Sequence, residues 1–559
     1  MVDLRLVWAS ALAIAGSASA QSTAPFEPAR LAKHIQTLSS DAFEGRAPAS
    51  AGEKKTVAYL IAQLKAAGVQ PGGDLVNGKR QWTQAVPLVM TQFAAAPTVA
   101  VQTAAGTLQL TQGEQISVRA PLNGQTALAI NNAPLLFAGY GVTAPERGWD
   151  DFKGQDVRGK ILVMLINDPD FEGGEGDFGG KAMTYYGRWT YKYEEAARRG
   201  AAGVLIVHET DPASYGWATV KNSNTNIMFD IVRKDPAAEH PALESWIQRD
   251  TAIALFKAAG LDFNAAKAAA RRKDFRPVDL KARLTATGAT TNKVITSYNV
   301  AGLLRGKTRP AETIIYAGHW DHLGVGAPDA AGDTIYNGAI DNGTGIALLL
   351  EQARAFARAP RTDRSILFLA VTAEERGLLG SAYYGANPLY PLASTVGVLN
   401  ADALNVWGRT RNFSMAGTAE VGLLDMMKQE AAKRQRTFSP DPRPEAGSFY
   451  RSDHFSFAKV GVPAISFSSG DDLAVGGVDR ATRLKADYVS KSYHQPADEY
   501  SAEWDLRGLA DDGALLYAVG RRIANSREWP NWGADSEFRA IRDESSGDRA
   551  ADASLGERG

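Results

Sequence analysis

The sequence predicts an α/β protein, and three observations carry that reading. From about residue 291, short apolar runs of strand length alternate with longer stretches of helical periodicity. Residues 126–290 have a different texture, with strand-like runs separated by turns. The chain has 559 residues, which exceeds one ordinary domain.

In chain order, residues 27–70 carry two helical patterns, with apolar residues at three- and four-residue steps, joined by a turn-like Asp41-Ala-Phe-Glu-Gly-Arg-Ala. Residues 80–125 read as short strands. The middle region contains three strand candidates beginning at Pro134, Lys160 and Gly203, and one helix, Tyr193-Glu-Glu-Ala-Ala-Arg-Arg. Its glycine-rich run from Gly173 to Lys181 lacks the strand, spacing and hydroxyl residue of a phosphate loop, so a turn is expected there. Further on, Thr313-Ile-Ile-Tyr-Ala-Gly, Ile366-Leu-Phe-Leu-Ala-Val, Val396-Gly-Val-Leu-Asn and Pro463-Ala-Ile-Ser-Phe read as strands. Helices are expected from Ile346 to Phe356, from Ala419 to Arg434 and from about 504 to 524. The segments are therefore 1–20, 21–125, 126–290, 291–526 and a polar tail, 527–559, whose composition predicts disorder.

The bulk composition excludes several functions. The net charge of −1, with 22% charged and 45% hydrophobic residues, offers no basis for nucleic-acid binding or a polybasic membrane surface. Cysteine is absent, so disulfides, thiolate metal sites and cysteine nucleophiles are excluded. At the N-terminus, the apolar run Leu6 to Gly16 ends at Ala18-Ser19-Ala20, a small-x-small cleavage pattern. That run is too short to span a bilayer. The expectation is a signal peptide cut after Ala20, no stable membrane insertion, and a periplasmic or secreted protein. Oligomeric state is not readable.

The candidate chemistry follows the predicted strands. His319 and Asp321 come after the first, Glu374 and Glu375 after the second, and Asp402 after the third. The carboxyl ends of parallel strands are where open α/β sheets place their sites. With no cysteine offered, zinc takes histidine nitrogen and carboxylate oxygen. Two neighbouring zinc ions need a bridging carboxylate, and Asp341, in a loop with Gly338, Gly343 and Gly345, is the natural choice. Asp321 stands two residues from His319, where it could orient the imidazole. Four of the seven histidines, 319, 322, 454 and 494, fall in these segments. Arg451 and Asp453 are secondary candidates, with a helix cap near Ser452 and salt-bridged neighbours as the alternative. The aromatic-dense Tyr185-Tyr-Gly-Arg-Trp-Thr-Tyr-Lys-Tyr reads as inter-domain packing or as a cap on the cleft.

The ordered set Gly-His-x-Asp, Gly-Ala-x-Asp-Asn-Gly-x-Gly, Glu-Glu, Asn-x-Asp, Arg-Ser-Asp-His and Tyr-His, over about 318–494, resembles metallopeptidase family twenty-eight, which contains bacterial leucyl aminopeptidases and glutamate carboxypeptidases. The resemblance implies a zinc-exopeptidase three-layer α/β/α sandwich with a mixed, largely parallel sheet. The middle region resembles an inserted β-rich protease-associated domain, through Phe137-Ala-Gly-Tyr-Gly-Val, Val157-Arg-Gly-Lys-Ile-Leu-Val and Ala196-Ala-Arg-Arg-Gly-Ala-Ala-Gly-Val-Leu. Carried over residue by residue, the family's roles give two Zn2+ ions. His319 and Asp402 would hold one, Glu375 and His494 the other, and Asp341 would bridge them. Glu374 would be the general base and Tyr493 the oxyanion donor. The implied function is a dizinc aminopeptidase acting on peptides. The alternatives are a carboxypeptidase or dipeptidase of the same fold, a glutaminyl cyclase-like enzyme using one zinc, or a non-catalytic binding protein.

Overall fold

The computed structural model describes residues 25–549, apart from 535 and 537. The signal peptide expected at 1–20 lies outside the described residues.

Four adjacent strands form the parallel centre of the main sheet, in the order Arg364–Val371, Arg309–His319, Thr395–Ala401 and Ala464–Ser469. On one side, the strand Val278–Leu304 adds antiparallel to Arg364–Val371, and Thr83–Phe93 adds beyond it. On the other, Asn412–Met415 runs antiparallel to Ala464–Ser469. This is the mixed, largely parallel sheet expected.

Side-chain alternation explains the layers, because successive strand residues face opposite sides. Ile314, Tyr316, Ile366 and Phe368 point into one core, beneath the helices Pro28–Leu38, Gly345–Arg358 and Arg507–Asn525. Ile315, Ala317, Leu367 and Leu369 point into the other, with Tyr384 and Phe457 from Leu379–Ala386 and His454–Lys459. Burial on both faces is why these strands read as unbroken apolar runs.

A second sheet and its own core make up the inserted domain. Its strands Ala127–Phe137, Ile161–Leu165, Gly203–His208 and Leu243–Gln248 are parallel neighbours. Two boundaries differ from the sequence reading. The insert begins near 98 rather than 126, because Thr98–Thr103 pairs with residues 283–287 in the second sheet. Alternating strand patterns look alike whichever sheet they join, and the pairing that decides is remote in sequence. The strand Val278–Leu304 also crosses the boundary at 290. Its first half pairs in the insert and its second half in the main sheet. The insert in turn lends Met228–Ile231 to the edge of the main sheet, against Thr83–Phe93.

The tail also departs from expectation. Its described residues up to 549 include a helix and buried anchors. Trp532 is 1% exposed and donates its indole N–H to Gly461 O at 3.1 Å. Arg542, in the helix Arg539–Glu544, donates to Leu392 O and Thr395 O. A few large anchors compensate for a polar average. Residues 550–559 lie outside the described residues. No helix among the described residues is long and apolar enough to cross a membrane.

Candidate metal centre and the cavity above it

His319 is the last residue of its strand. Glu374 follows the neighbouring strand by three residues, and Asp402 directly follows the next. Parallel neighbours end side by side, so three distant segments meet without any long side chain. His319 Nε2 lies 3.1 Å from Asp402 Oδ1 and 3.3 Å from Asp341 Oδ1. On the other side, His494 Nε2 lies 3.4 Å from Asp341 Oδ2 and 3.0 Å from Glu375 Oε2. Asp341 thus turns one oxygen toward each histidine.

These atoms fit metal ions. Ligand atoms of His319, Asp341 and Glu375, and of His319, Glu374 and Asp402, fall within 4.8 Å of one another in each set. Asp341, Glu374, Glu375 and Asp402 crowd together, yet among the described residues none forms an ion pair with a lysine or arginine. Clustered carboxylates that face no lysine or arginine call for positive charge from the imidazoles or from bound metal ions.

The loop that carries Asp341 is held from several directions. Gly338 adopts φ +57°, and a Cβ there would lie 2.2 Å from Asp341 O and 2.5 Å from His322 Cγ, so only glycine fits. Gly345 is different. It is helical, and its lack of a side chain admits Asn342 Oδ1 and Ala401 O. Asn342 donates to Ala401 O at 3.0 Å and accepts from Gly345 N at 2.9 Å. Asp498 accepts from the N–H groups of Ile340 and Asp341.

Sequence reasoning missed two supports. Arg46, 1% exposed, donates to Trp320 O, Leu38 O, Asn337 O and Gly338 O. It stands in the segment read as a plain turn, and only the Gly45-Arg46 pair beside a helix start marked it. His322 places Nδ1 2.5 Å from Glu375 Oε1, restraining that carboxylate. Its position three residues after His319 was the available signal.

The expected role of Asp321 changes. Its carboxylate is 3.8 Å from His319 Nδ1, while its main-chain oxygen is 3.2 Å away. The carboxylate instead accepts from Glu374 N at 3.1 Å, because the adjacent loop delivers that N–H. The helix-cap alternative near Ser452 does not hold either. Ser452 Oγ accepts from Asn400, and the Asp453 side chain makes no cap to the helix that starts at His454. Among the described residues Arg451 forms no salt bridge; it reaches across to Ser214 Oγ of the insert at 2.8 Å. His454 packs edge-on against Phe449, away from the cluster.

Glu374 faces a cavity of about 750 Å³ that also exposes Asp341, Glu375, Asp402, Tyr493 and His494. Burial pushes its pKa well above the ordinary carboxylate range, and Asp402 and Glu375 push the same way against His319. The Tyr493 ring lies 4.0 Å from that of His494, and Arg451 stands beside it. The insert supplies the opposite wall with Tyr185, Arg188, Trp189 and Tyr215. Tyr185 also packs on Tyr450 and Phe455, so the aromatic-dense segment both joins the domains and lines the cavity. Arg188 is 8% exposed, and burial first, then Arg451, lowers its pKa to about 10.

Residues 299–518 match peptidase family M28. Aminopeptidase YwaD of Bacillus subtilis is 29% identical over 217 residues, which are 36% of this chain and 40% of that protein. Leupeptin-inactivating enzyme 1 of Streptomyces exfoliatus is 30% identical over 255 residues, 43% of this chain and 53% of that one. The chain therefore spans about half, or less, of these relatives. The aminopeptidase from Aneurinibacillus sp. strain AM-1 superposes with a TM-score of 0.51 at 19% identity, covering 90% of this chain and 96% of that one, and so shares its fold.

Proposed function

We propose, from the match of residues 299–518 to peptidase family M28, that the protein is an exported dizinc aminopeptidase that removes the N-terminal residue of peptides. The observation that carries this reading is Asp341, whose two oxygens face His319 and His494 at 3.3 and 3.4 Å. His319 and Asp402 would hold one zinc, His494 and Glu375 the other, and Asp341 both. The apolar run before Ala18-Ser19-Ala20 supports export.

Bound zinc acidifies a water and polarises a carbonyl. The chain's own residues do the rest. Glu374 accepts the proton of the attacking water and returns it to the leaving amine. The Tyr493 hydroxyl, lining the same cavity, donates to the carbonyl oxygen as negative charge gathers there. The insert wall excludes water from the cleft.

One observation favours a second reading. Among the described residues neither Arg188 nor Arg451 has a carboxylate ion-pair partner, and Arg188 Nε has no hydrogen-bond partner. Two guanidiniums beside Tyr493 fit a substrate carboxylate, as a dipeptidase or carboxypeptidase would require.

One experiment separates these readings. Zinc-loaded enzyme is given aminoacyl-nitroanilides and dipeptides, each with and without N-acetylation, and the dipeptides as free acids and as amides. Cleavage confined to free amines and abolished by chelator establishes the aminopeptidase. Cleavage that needs a free C-terminal acid establishes the second reading. Glu374→Ala is expected to keep its zinc and lose about 10²- to 10⁴-fold in rate. An active variant overturns the assigned base.

A further inference from the structure

We propose that the inserted domain completes one of the two metal positions, with Ser223 acting as a positioning residue for His494; the inference rests on the dizinc reading above.

The two candidate ligand histidines are supported differently. His319 turns Nε2 to the carboxylates, and its Nδ1 meets Asp321 O, two residues along its own loop, at 3.2 Å. His494 also turns Nε2 to the carboxylates, but its Nδ1 meets Ser223 Oγ at 3.0 Å. Ser223 belongs to the insert, on the helix Trp217–Asn224, 271 residues away in sequence. The preceding residue, Asn222, donates to His494 O at 3.3 Å. One short helix thus touches both the ring and the main chain of this histidine.

His494 needs such support. Its φ of +56° lies in the left-handed region that a non-glycine residue enters at a cost. A ring that ligates through Nε2 must carry its proton on Nδ1, and that proton needs an acceptor. The Ser223 hydroxyl is the acceptor at hand. The helix is itself anchored, because four residues after Asn224 the chain enters the strand Met228–Ile231 on the edge of the main sheet. One metal position is therefore built by the catalytic domain alone, and the other also depends on the docked insert.

The test measures zinc affinity at both positions, by chelator competition and by metal content after dialysis, in the full-length protein. Ser223→Val and Ser223→Thr share a shape and differ in the hydroxyl. The expected result is that Ser223→Val loses about 10- to 100-fold affinity for one ion and none for the other, while Ser223→Thr stays near wild type. The metal-free proteins should melt together, which a merely structural role would not predict. Two ions held equally tightly by Ser223→Val and wild type overturn the inference and leave the dizinc reading standing. Equal losses in the Thr and Val variants also overturn it. A wild-type protein that takes up only one ion ends both.

Discussion

The two walls of the cavity differ in kind. The peptidase wall presents carboxylates and imidazoles at fixed separations, with Asp341, Glu374, Glu375 and Asp402 set around His319 and His494. The insert wall presents aromatic rings and an arginine, with Tyr185, Trp189 and Tyr215 around Arg188. The first wall must hold ligand atoms to within tenths of an ångström, and few residue types can do so. The second needs only shape, exclusion of water and a sign of charge, which many sequences meet. A metal centre therefore leaves a motif in the chain, whereas its roof does not.

The contrast breaks most sharply at Asp341. Asp341→Ala should release both ions and take activity to background, because among the described residues Asp341 alone pairs with both histidines. Elemental analysis after dialysis checks it, and a variant that keeps two ions would end the bridging assignment. By contrast, Arg188→Gln on the roof should leave metal content unchanged.

Arg46 comes next, as support beneath the first wall. Arg46→Met removes a buried donor from four carbonyl oxygens; Gly338 O keeps the N–H of Gly343, and each oxygen left unsatisfied costs about 1–3 kcal/mol. We expect a loss of about 3 kcal/mol or more in denaturant unfolding, with weaker metal retention. A loss below about 1 kcal/mol would mean that the loop holds itself.

The smallest expected effect lies in the second wall. His240 sits between Glu244 Oε1 at 2.6 Å and Asp230 Oδ2 at 3.1 Å. Burial lowers its pKa, but the two carboxylates more than offset this and raise it from 6.5 to about 9. The folded form binds that proton more tightly than the unfolded chain does. Its contribution is thus fully present below pH 6.5 and is lost as pH rises through about 9. At ~1.4 kcal/mol per pH unit this is worth up to about 3 kcal/mol. Thermal melts of wild type should fall across that window more steeply than those of His240→Gln, and parallel curves would discount the cluster.

Much of the fold was legible because local pattern and burial coincide. The runs at Thr313, Ile366 and Val396 are apolar at nearly every position, and all three became central parallel strands. The insert's start was not legible, since Thr98–Thr103 alternates like any half-buried strand. The helix Gly477–Lys491, which leads to His494, was also missed. It is polar and mostly exposed, with Ala481 its only buried residue, so its pattern carries little signal. The tail was misread because average polarity hides single anchors such as Trp532.

The inventory and order of the candidate metal-site residues, and the strands that deliver them, are written in the chain. Those features depend on residue type and on neighbours close in the chain. Which groups brace the candidate ligands is set by long-range folding. Arg46 reaches Gly338 O across 292 positions, Asp321 offers its main-chain oxygen where its carboxylate was expected, and Ser223 meets His494 from another domain. Such contacts come from long-range packing, where main-chain oxygens and hydroxyls present in every segment can all serve. No local pattern distinguishes the one that does.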